Sequence, residues 1–301
     1  MSSPDVLVVG SLNLDFVFRA PQLPTPGQTL LGGQFATHPG GKGGNQAVTI
    51  GRLGGSVAFA GCVGDDPFGQ VMTESLLGAG VDTTHLAIDP STASGSACVL
   101  VDERGMNMIV VAPGANMSLG PDMVLAALAC TPKVVLAQLE IEMTSVEAAA
   151  QAEFFILNPA PAQDLSSGLL SRCKVLTPNE SELKSLTGIY PNEPSDCVAA
   201  AASLLDAGVE NVIVTLGSRG SYWVSRSSGR HFQAPSVKAI DTTAAGDAFN
   251  GALALFLAEG RDMANAIALA NCVGALSTTR HGAQESMPSR DELAALAGKI
   301  L

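Results

Sequence analysis

The chain sets short, continuous apolar runs between helical patterns, and that alternation restricts its fold more than any other property. The runs are Val6–Val9, Val134–Leu139, Phe154–Leu157, Lys174–Leu176 and Val212–Leu216. Each lacks the polar alternation of a half-exposed strand, as expected where both faces of a parallel sheet are covered. Between them apolar residues recur with helical spacing over Asn45–Leu53, Pro67–Gly78, Ser118–Leu128, Ser145–Ala152, Asn179–Leu186 and Cys197–Ala207. Such a succession predicts a doubly wound, mainly parallel α/β sheet flanked by helices. At 301 residues, 47% of them hydrophobic, one large domain spanning 1–301 is the default, burying about 75% of its unfolded surface.

Two stretches break the pattern. Residues 16–39 and 97–111 read as hairpin β-structure, the second turning at Asp102-Glu103-Arg104-Gly105. Too far apart in sequence to form an ordinary domain, they are expected to combine as a small β-sheet lid over the main sheet. The interval from Glu140 to Phe154 is also unusual: about a dozen residues is the minimum for a crossover between parallel strands. It admits two readings, a very tight connection or a stretch of missing residues.

Composition narrows the partners. A net charge of −12 argues against binding nucleic acid or an anionic membrane surface, while a local nest of amides still suits a small anion. No apolar run approaches the ~20 residues of a membrane span. Neither the N-terminus nor the C-terminal Gly298–Leu301 reads as a targeting signal. The six cysteines are dispersed with no C-x-x-C pair, as expected of reduced thiols in a cytoplasmic protein. The four histidines are equally scattered, so histidine chemistry is not indicated.

Asp241-Thr242-Thr243-Ala244-Ala245-Gly246-Asp247-Ala248-Phe249 carries the clearest chemistry. Phe249, Ala252, Leu253, Phe256 and Leu257 form one apolar helix face, and Gly260 falls just past its end. The helix must therefore begin at 244–247, where free N–H groups and the macrodipole attract an anion. Small side chains let a phosphate reach that backbone, and Asp247 sits beside it as a base. Phosphoryl transfer to a hydroxyl needs that set of groups.

Other polar residues gather where strands end, the usual ligand edge of an open α/β sheet. Asn13 and Asp15 follow the first strand, Glu140, Asn158 and Asn179 later ones. Carboxylates and amides suit vicinal hydroxyls, so a sugar is a natural guest. A glycine-rich segment, Gly40–Asn45, closes the lid and opens a helix, which makes it a candidate for close backbone approach to a ligand. It lacks Walker-loop spacing. Lys42 is either solvated or reaches a transferred phosphate, and Asn45 is a cap or a sugar contact. The turn Thr215–Gly220 is either a tight β-turn or a nucleotide-phosphate contact.

Gly40–Gly54 (GGKGGNQAVTIGRLG) and Asp241–Phe249 (DTTAAGDAF) together resemble the two signatures of the ribokinase-like (PfkB) carbohydrate kinases. GSLNLD around Asn13–Asp15, QLE at Gln138–Glu140, NPAP at Asn158–Pro161, PNE at Pro178–Glu180, GSRG at Gly217–Gly220 and GAQ at Gly282–Gln284 follow in the family's order. The resemblance covers essentially the whole chain. It implies ATP-dependent phosphorylation of a sugar, D-ribose at its 5-hydroxyl, to D-ribose 5-phosphate and ADP. Fructose, a deoxysugar or a nucleoside are the other acceptors within the class, and a sensor without turnover the reading outside it.

Position by position, the resemblance makes Asp247 the catalytic base and Ala244, Ala245 and Gly246 the anion hole. It assigns ribose to Asn13, Asp15, Gly41, Lys42, Asn45 and Glu140, with Asp247 at the reacting hydroxyl. ATP falls to Asn179, Thr215, Gly217, Ser218, Gly220, Gly246 and Asn271. Glu182 completes an N-x-x-E element that organises Mg²⁺ through water. An activating K⁺ is placed near Asp241, Thr243, Ser277, Arg280, Gly282 and Ser286, mostly through carbonyls. Two departures stand out: Ala245 occupies a position that is commonly Gly, and the crossover after Glu140 is several residues short. Apolar Phe16, Phe18, Leu30 and Phe35 in the lid, with the family's habit of pairing lids, imply a homodimer.

Overall fold

A computed structural model describes residues 3–298; residues 1–2 and 299–301, part of the termini weighed above for targeting signals, lie outside the described residues. The strands are β1 (Val6–Val9), β2 (Asn13–Arg19), β3 (Gln34–Gly40), β4 (Val57–Gly64), β5 (Asp82–Asp89), β6 (Ser96–Val101), β7 (Asn107–Ala112), β8 (Val134–Ala137), β9 (Phe155–Leu157), β10 (Val175–Leu176), β11 (Asn211–Thr215), β12 (Ser221–Ser225) and β13 (Gly229–Phe232). The helices are α1 (Lys42–Arg52), α2 (Pro67–Gly78), α3 (Pro121–Leu128), α4 (Met143–Ala149), α5 (Ser167–Leu170), α6 (Glu180–Thr187), α7 (Asp196–Asp206), α8 (Ala245–Ala258), α9 (Met263–Ser277) and α10 (Arg290–Ala297).

Nine strands form the main sheet in the order β13-β12-β11-β10-β9-β8-β1-β4-β5. Pairing is parallel from β5 to β11 and antiparallel at β12 and β13. Alternate side chains enter opposite layers. Val8, Leu136, Ile156, Val175 and Ile213 meet α1, α2, α8, α9 and α10. Leu7, Val135, Phe155, Leu176 and Val212 meet α3 to α7. Both faces are covered, which is why these strands read as unbroken apolar runs.

Besides the short α5 and β13, four elements have no counterpart in the sequence reading. β4, VAFAGCVG, is buried throughout but rich in Ala and Gly, which blunts its strand signal. β5 is a partly exposed edge beginning Asp-Thr-Thr-His. α9, MANAIALANCVGALS, is small and apolar nearly all round, so no stripe marks it. α10 lies close to the C-terminus, with only Leu293 fully buried. The tight interval after Glu140 closes as α4, seven residues, and β8 and β9 pair directly across it.

The second sheet runs β3-β2-β6-β7. Its strands come from the two discontinuous stretches, with β2 antiparallel to β3 and parallel to β6. β6 and β7 turn at Asp102–Gly105, where the Asp102 carboxylate accepts from the N–H groups of Arg104 and Met106. β1 runs into β2 through Gly10–Leu12, so the lid grows straight out of the carboxyl edge of the main sheet.

Candidate active site

The glycines of 40–44 serve a purpose beyond the one expected. A Cβ at Gly41 would lie 2.6 Å from Asn13 N, and one at Gly43 2.7 Å from Ser11 N. The close approach is therefore to the chain's own backbone. It seats the start of α1 against residues 11–13, and Gly41 takes a φ of 82° to cap the helix. This contact sets a cluster of polar side chains beside α1. Ser11 Oγ donates to Glu140 Oε2 (2.6 Å), which also accepts from Lys42 N–H (3.2 Å) and Asn13 Nδ2 (3.4 Å). Asn13 Oδ1 accepts from Asn116 Nδ2 (2.9 Å), and Asn116 also bonds the N–H and carbonyl of Leu12. Ser11 and Asn116 were not among the expected site residues; Ser11 lies inside GSLNLD, while Asn116 belongs to no motif and only the fold brings it in.

Asp247 stands in the first turn of α8, and its carboxyl is buried. Asn45 Nδ2 donates to its Oδ2 (2.9 Å) and Gln46 Nε2 to its Oδ1 (3.1 Å). Burial pushes the carboxyl up, opposed by Lys42 and these two amides. Lys42 is half-buried. Burial works against its charge, but Asp247, Glu140 and Glu182 outweigh it and raise the ammonium pKa. Asn45 Oδ1 is buried with no partner among the described residues. An acceptor in that state is suited to a ligand hydroxyl.

α6, α9 and α10 begin with side-chain caps from Asn179, Asp262 and Ser289. α8 has none: Ala244 precedes it in the left-handed region, φ 57°. That conformation costs a non-glycine residue about 1–2 kcal/mol. No side chain occupies this start, as an anion site requires, although Ala245 N–H reaches Thr242 O (3.3 Å).

On the far side of this helix start lies a cleft of about 650 Å³. Asn179, Thr215, Gly217, Ser218, Gly220, Gly246 and Asn271, the whole set expected to meet ATP, line it together with Ala245. Asn271 is buried, its amide donating to Ser221 Oγ and Phe232 O. Asn179 and Glu182 form a reciprocal capping box, Asn179 N–H meeting Glu182 Oε2 at 2.8 Å. Burial raises the Glu182 carboxyl, opposed by that N–H and by Lys42.

Behind the α8 start, Asp241 accepts from Thr243 N–H (3.0 Å), Thr243 Oγ1 (2.7 Å) and Gly282 N–H (3.3 Å). These bonds hold its carboxyl below the usual range against the upward push of burial. Asp241, Thr243 and Gly282 are thus brought together. The hydroxyls of Ser277 and Ser286 turn to carbonyls of their own turns, and Arg280 pairs with Glu292.

Residues 3–290 match the family described as pfkB family carbohydrate kinase. The chain is 40% identical over 292 residues to a ribokinase of Haemophilus influenzae, covering 95% of each. It is 36% identical over 298 residues to a deoxyribokinase of Salmonella typhi, covering 96% of this chain and 97% of the relative. Among solved structures it is similar to Arabidopsis thaliana ribokinase complexed with ribose and ATP. That pair has a TM-score of 0.89 and 30% identity over 98% of this chain and 99% of the other.

Proposed function

We propose that this chain, which belongs to the pfkB family of carbohydrate kinases, transfers the γ-phosphoryl group of ATP to the 5-hydroxyl of D-ribose. One observation carries the reading. A buried carboxyl, Asp247, lies at the uncapped start of α8, with the polar cluster of Asn13, Glu140 and Lys42 on one side and the large cleft on the other. The ribokinase relative and the ribose- and ATP-bound neighbour support the choice of substrates.

Asn13, Asp15, Gly41, Lys42, Asn45 and Glu140 hold the sugar. Asn179, Thr215, Gly217, Ser218, Gly220, Gly246 and Asn271 hold ATP. As the 5-oxygen attacks phosphorus, its proton passes to the Asp247 carboxylate and the bond to the β,γ-bridging oxygen breaks, releasing ADP. Developing charge on the phosphoryl oxygens meets the N–H groups at Ala244–Asp247, already oriented before the reaction. The lid excludes water, the competing acceptor.

Among the described residues no three His, Cys, Asp or Glu side chains converge as metal ligands. A cation bound largely by phosphate and water, as Mg²⁺ commonly is, fits that arrangement, with Glu182 behind a water. Bound there, Mg²⁺ neutralises charge on the transferred and leaving phosphates. The oxygen-only donors of Asp241, Thr243, Ser277, Arg280, Gly282 and Ser286 suit K⁺, which would brace the anion-hole loop from behind. All six cysteines are free, in keeping with the reducing cytoplasm. The enzyme acts as a homodimer paired through its lids.

An ADP-release assay across ribose, 2-deoxyribose, fructose and adenosine, with and without K⁺, tests the reading. Ribose is expected to be turned over best, and faster with K⁺. Asp247→Ala is expected to lose at least about a thousandfold in kcat with ribose affinity changed only a few-fold. Phosphorylation retained in that variant removes Asp247 as base, and a different preferred sugar replaces the acceptor.

A further inference from the structure

The residues just past four adjacent parallel strands form a single row across the sheet. Val9, Ala137, Leu157 and Leu176 stand in register as the last residues of β1, β8, β9 and β10. Gly10, Gln138, Asn158 and Thr177 come next, on the face of Val8, Leu136, Ile156 and Val175 that α1 and α8 cover. Gln138, Asn158 and Thr177 are buried. Gly10 leaves the space that Gln138 fills: a Cβ there would lie 2.0 Å from Gln138 Oε1.

Two backbone carbonyls, which can only accept, fix the direction of every bond above this row. Asn158 Nδ2 donates to Thr177 O (3.1 Å), so Asn158 Oδ1 is turned to accept from Gln46 Nε2 (3.2 Å). The same amide nitrogen donates to Asp247 Oδ1 (3.1 Å), and Gln46 Oε1 accepts from Gln138 Nε2 (2.5 Å). On the other side Asn250 Nδ2 donates to Gly246 O (2.9 Å) while its Oδ1 accepts from Thr177 Oγ1 (2.6 Å). The row therefore turns the Gln46 amide so that it presents N–H, not C=O, to the base, and through Thr177 and Asn250 it reaches the carbonyl of Gly246 at the helix start proposed to receive the phosphate.

We propose that Gln46 is a positioning residue for phosphoryl transfer, its amide locked by Gln138 and Asn158 so that it keeps the Asp247 carboxylate ionised and aimed at the acceptor hydroxyl. The inference rests on Asp247 being the base of the kinase proposed above. A donor to the charged form of an acid favours that form. Gln46 acts alongside Lys42 and Asn45 and against burial and the charge of Glu140. Asp15 and Glu182 also face Asp247 and are coupled to it.

The test is the pH dependence of kcat at saturating ribose and ATP, which reports the bound complex. Gln46→Met keeps the volume and removes the donor. It is expected to lower kcat about tenfold at neutral pH and to move the acid limb up by about one unit, a tenfold change in protonation equilibrium. KM for ribose should stay within about twofold. Gln46→Glu should move the limb further, since it adds like charge. Gln138→Met, which frees the Gln46 amide to turn, should shift it in the same direction by less, and decides the matter if thermal melting shows Gln46→Met unfolded. An acid limb that stays in place overturns the proposal, whether the rate holds or falls, because a purely structural role would lower the rate alone. Wild type is assayed alongside: failure to turn over ribose defeats the kinase reading, whereas normal wild-type turnover with an unmoved limb defeats only the role of Gln46.

Discussion

Asp15, proposed above to hold the sugar, shows how a carboxyl is set by its neighbours. It stands opposite His38 in the β2–β3 pairing, and His38 Nδ1 lies 2.9 Å from Glu285 Oε1. Burial, then Glu140, raises the Asp15 carboxyl from 3.8 to about 7; His38 pulls it down, and Asp247 and Glu285 add to the rise. A carboxylate that accepts from two hydroxyls must be ionised, so binding of ribose is linked to loss of that proton. Ribose affinity of the free enzyme is expected to fall toward tenfold per unit as pH drops below about 7, measured by calorimetry from pH 5.5 to 8. The linkage has a second face. The folded protein holds a proton that the unfolded chain has lost, so Asp15 costs stability increasingly from pH 3.8 to about 7 and constantly above. Asp15→Asn is thus expected to melt higher than wild type at pH 8 while binding ribose poorly. A flat affinity profile, or a variant that melts lower, contradicts the assignment. At this scale the sequence was legible where function sits in a local motif. The small residues before Asp247 and the polar pair Asn13 and Asp15 could be picked out directly. Gln46 and Gln138 lie within quoted motifs and Asn116 in none, yet the role of none of the three could be read, because each depends on sheet register and on chain segments about a hundred residues apart.

α1 and α8 meet with almost no space between them, and this contact places the base against its supports. A Cβ at Gly251 would lie 2.6 Å from Gln46 O and 2.9 Å from Thr49 Cβ. The obstacle is backbone, which cannot turn aside as a side chain can. Gly251→Ala is expected to force the helices apart, costing about 1–3 kcal/mol and drawing the Gln46 amide away from Asp247. A lower Tm together with a lower kcat checks this; a variant with unchanged kcat would mean that helix spacing does not set the geometry of the base. The elements themselves were readable in proportion to their contrast. β1 and β8 to β11 stood out because burial on both faces leaves unbroken apolar runs, and α2 because its apolar residues recur with helical spacing. β4 and α9 were invisible for the opposite reason. Their residues are small and apolar without periodicity, and what distinguishes them is the neighbour they pack on.

The lid gives the whole molecule a surface that one chain does not cover. Of its aromatic residues, Phe16 packs on Phe68 of α2 with ring centroids 5.3 Å apart, tying the root of the lid to its own domain. Further out, Phe18 and Phe35 contact each other at 4.8 Å and remain exposed. Leu30, between the strands, is half-buried. Phe35, Phe18, Leu100 and Met108 form one row across all four strands. The next row along, on the opposite face, runs Ala36, Val17, Val99 and Ile109. β7 is exposed along its full length, Ile109 at 55% and Val110 at 72%. A thin sheet with apolar side chains on both faces has too little to pack on by itself, and exposed patches of this kind mark interaction surfaces. Pairing of two lids would cover one face of each while the other, carrying Asp15 near its root, stays over the sugar. Wild type is therefore expected to sediment at twice the 30.6 kDa of one chain. Ile109→Asp combined with Val110→Asp sets a charge on each face of the edge strand, and the double variant is expected to sediment at the single mass. With the lid proposed to shut over ribose, losing its partner should raise KM for ribose more than it lowers kcat. Wild type running at the single mass, or a double variant that stays paired, would refute association through the lid.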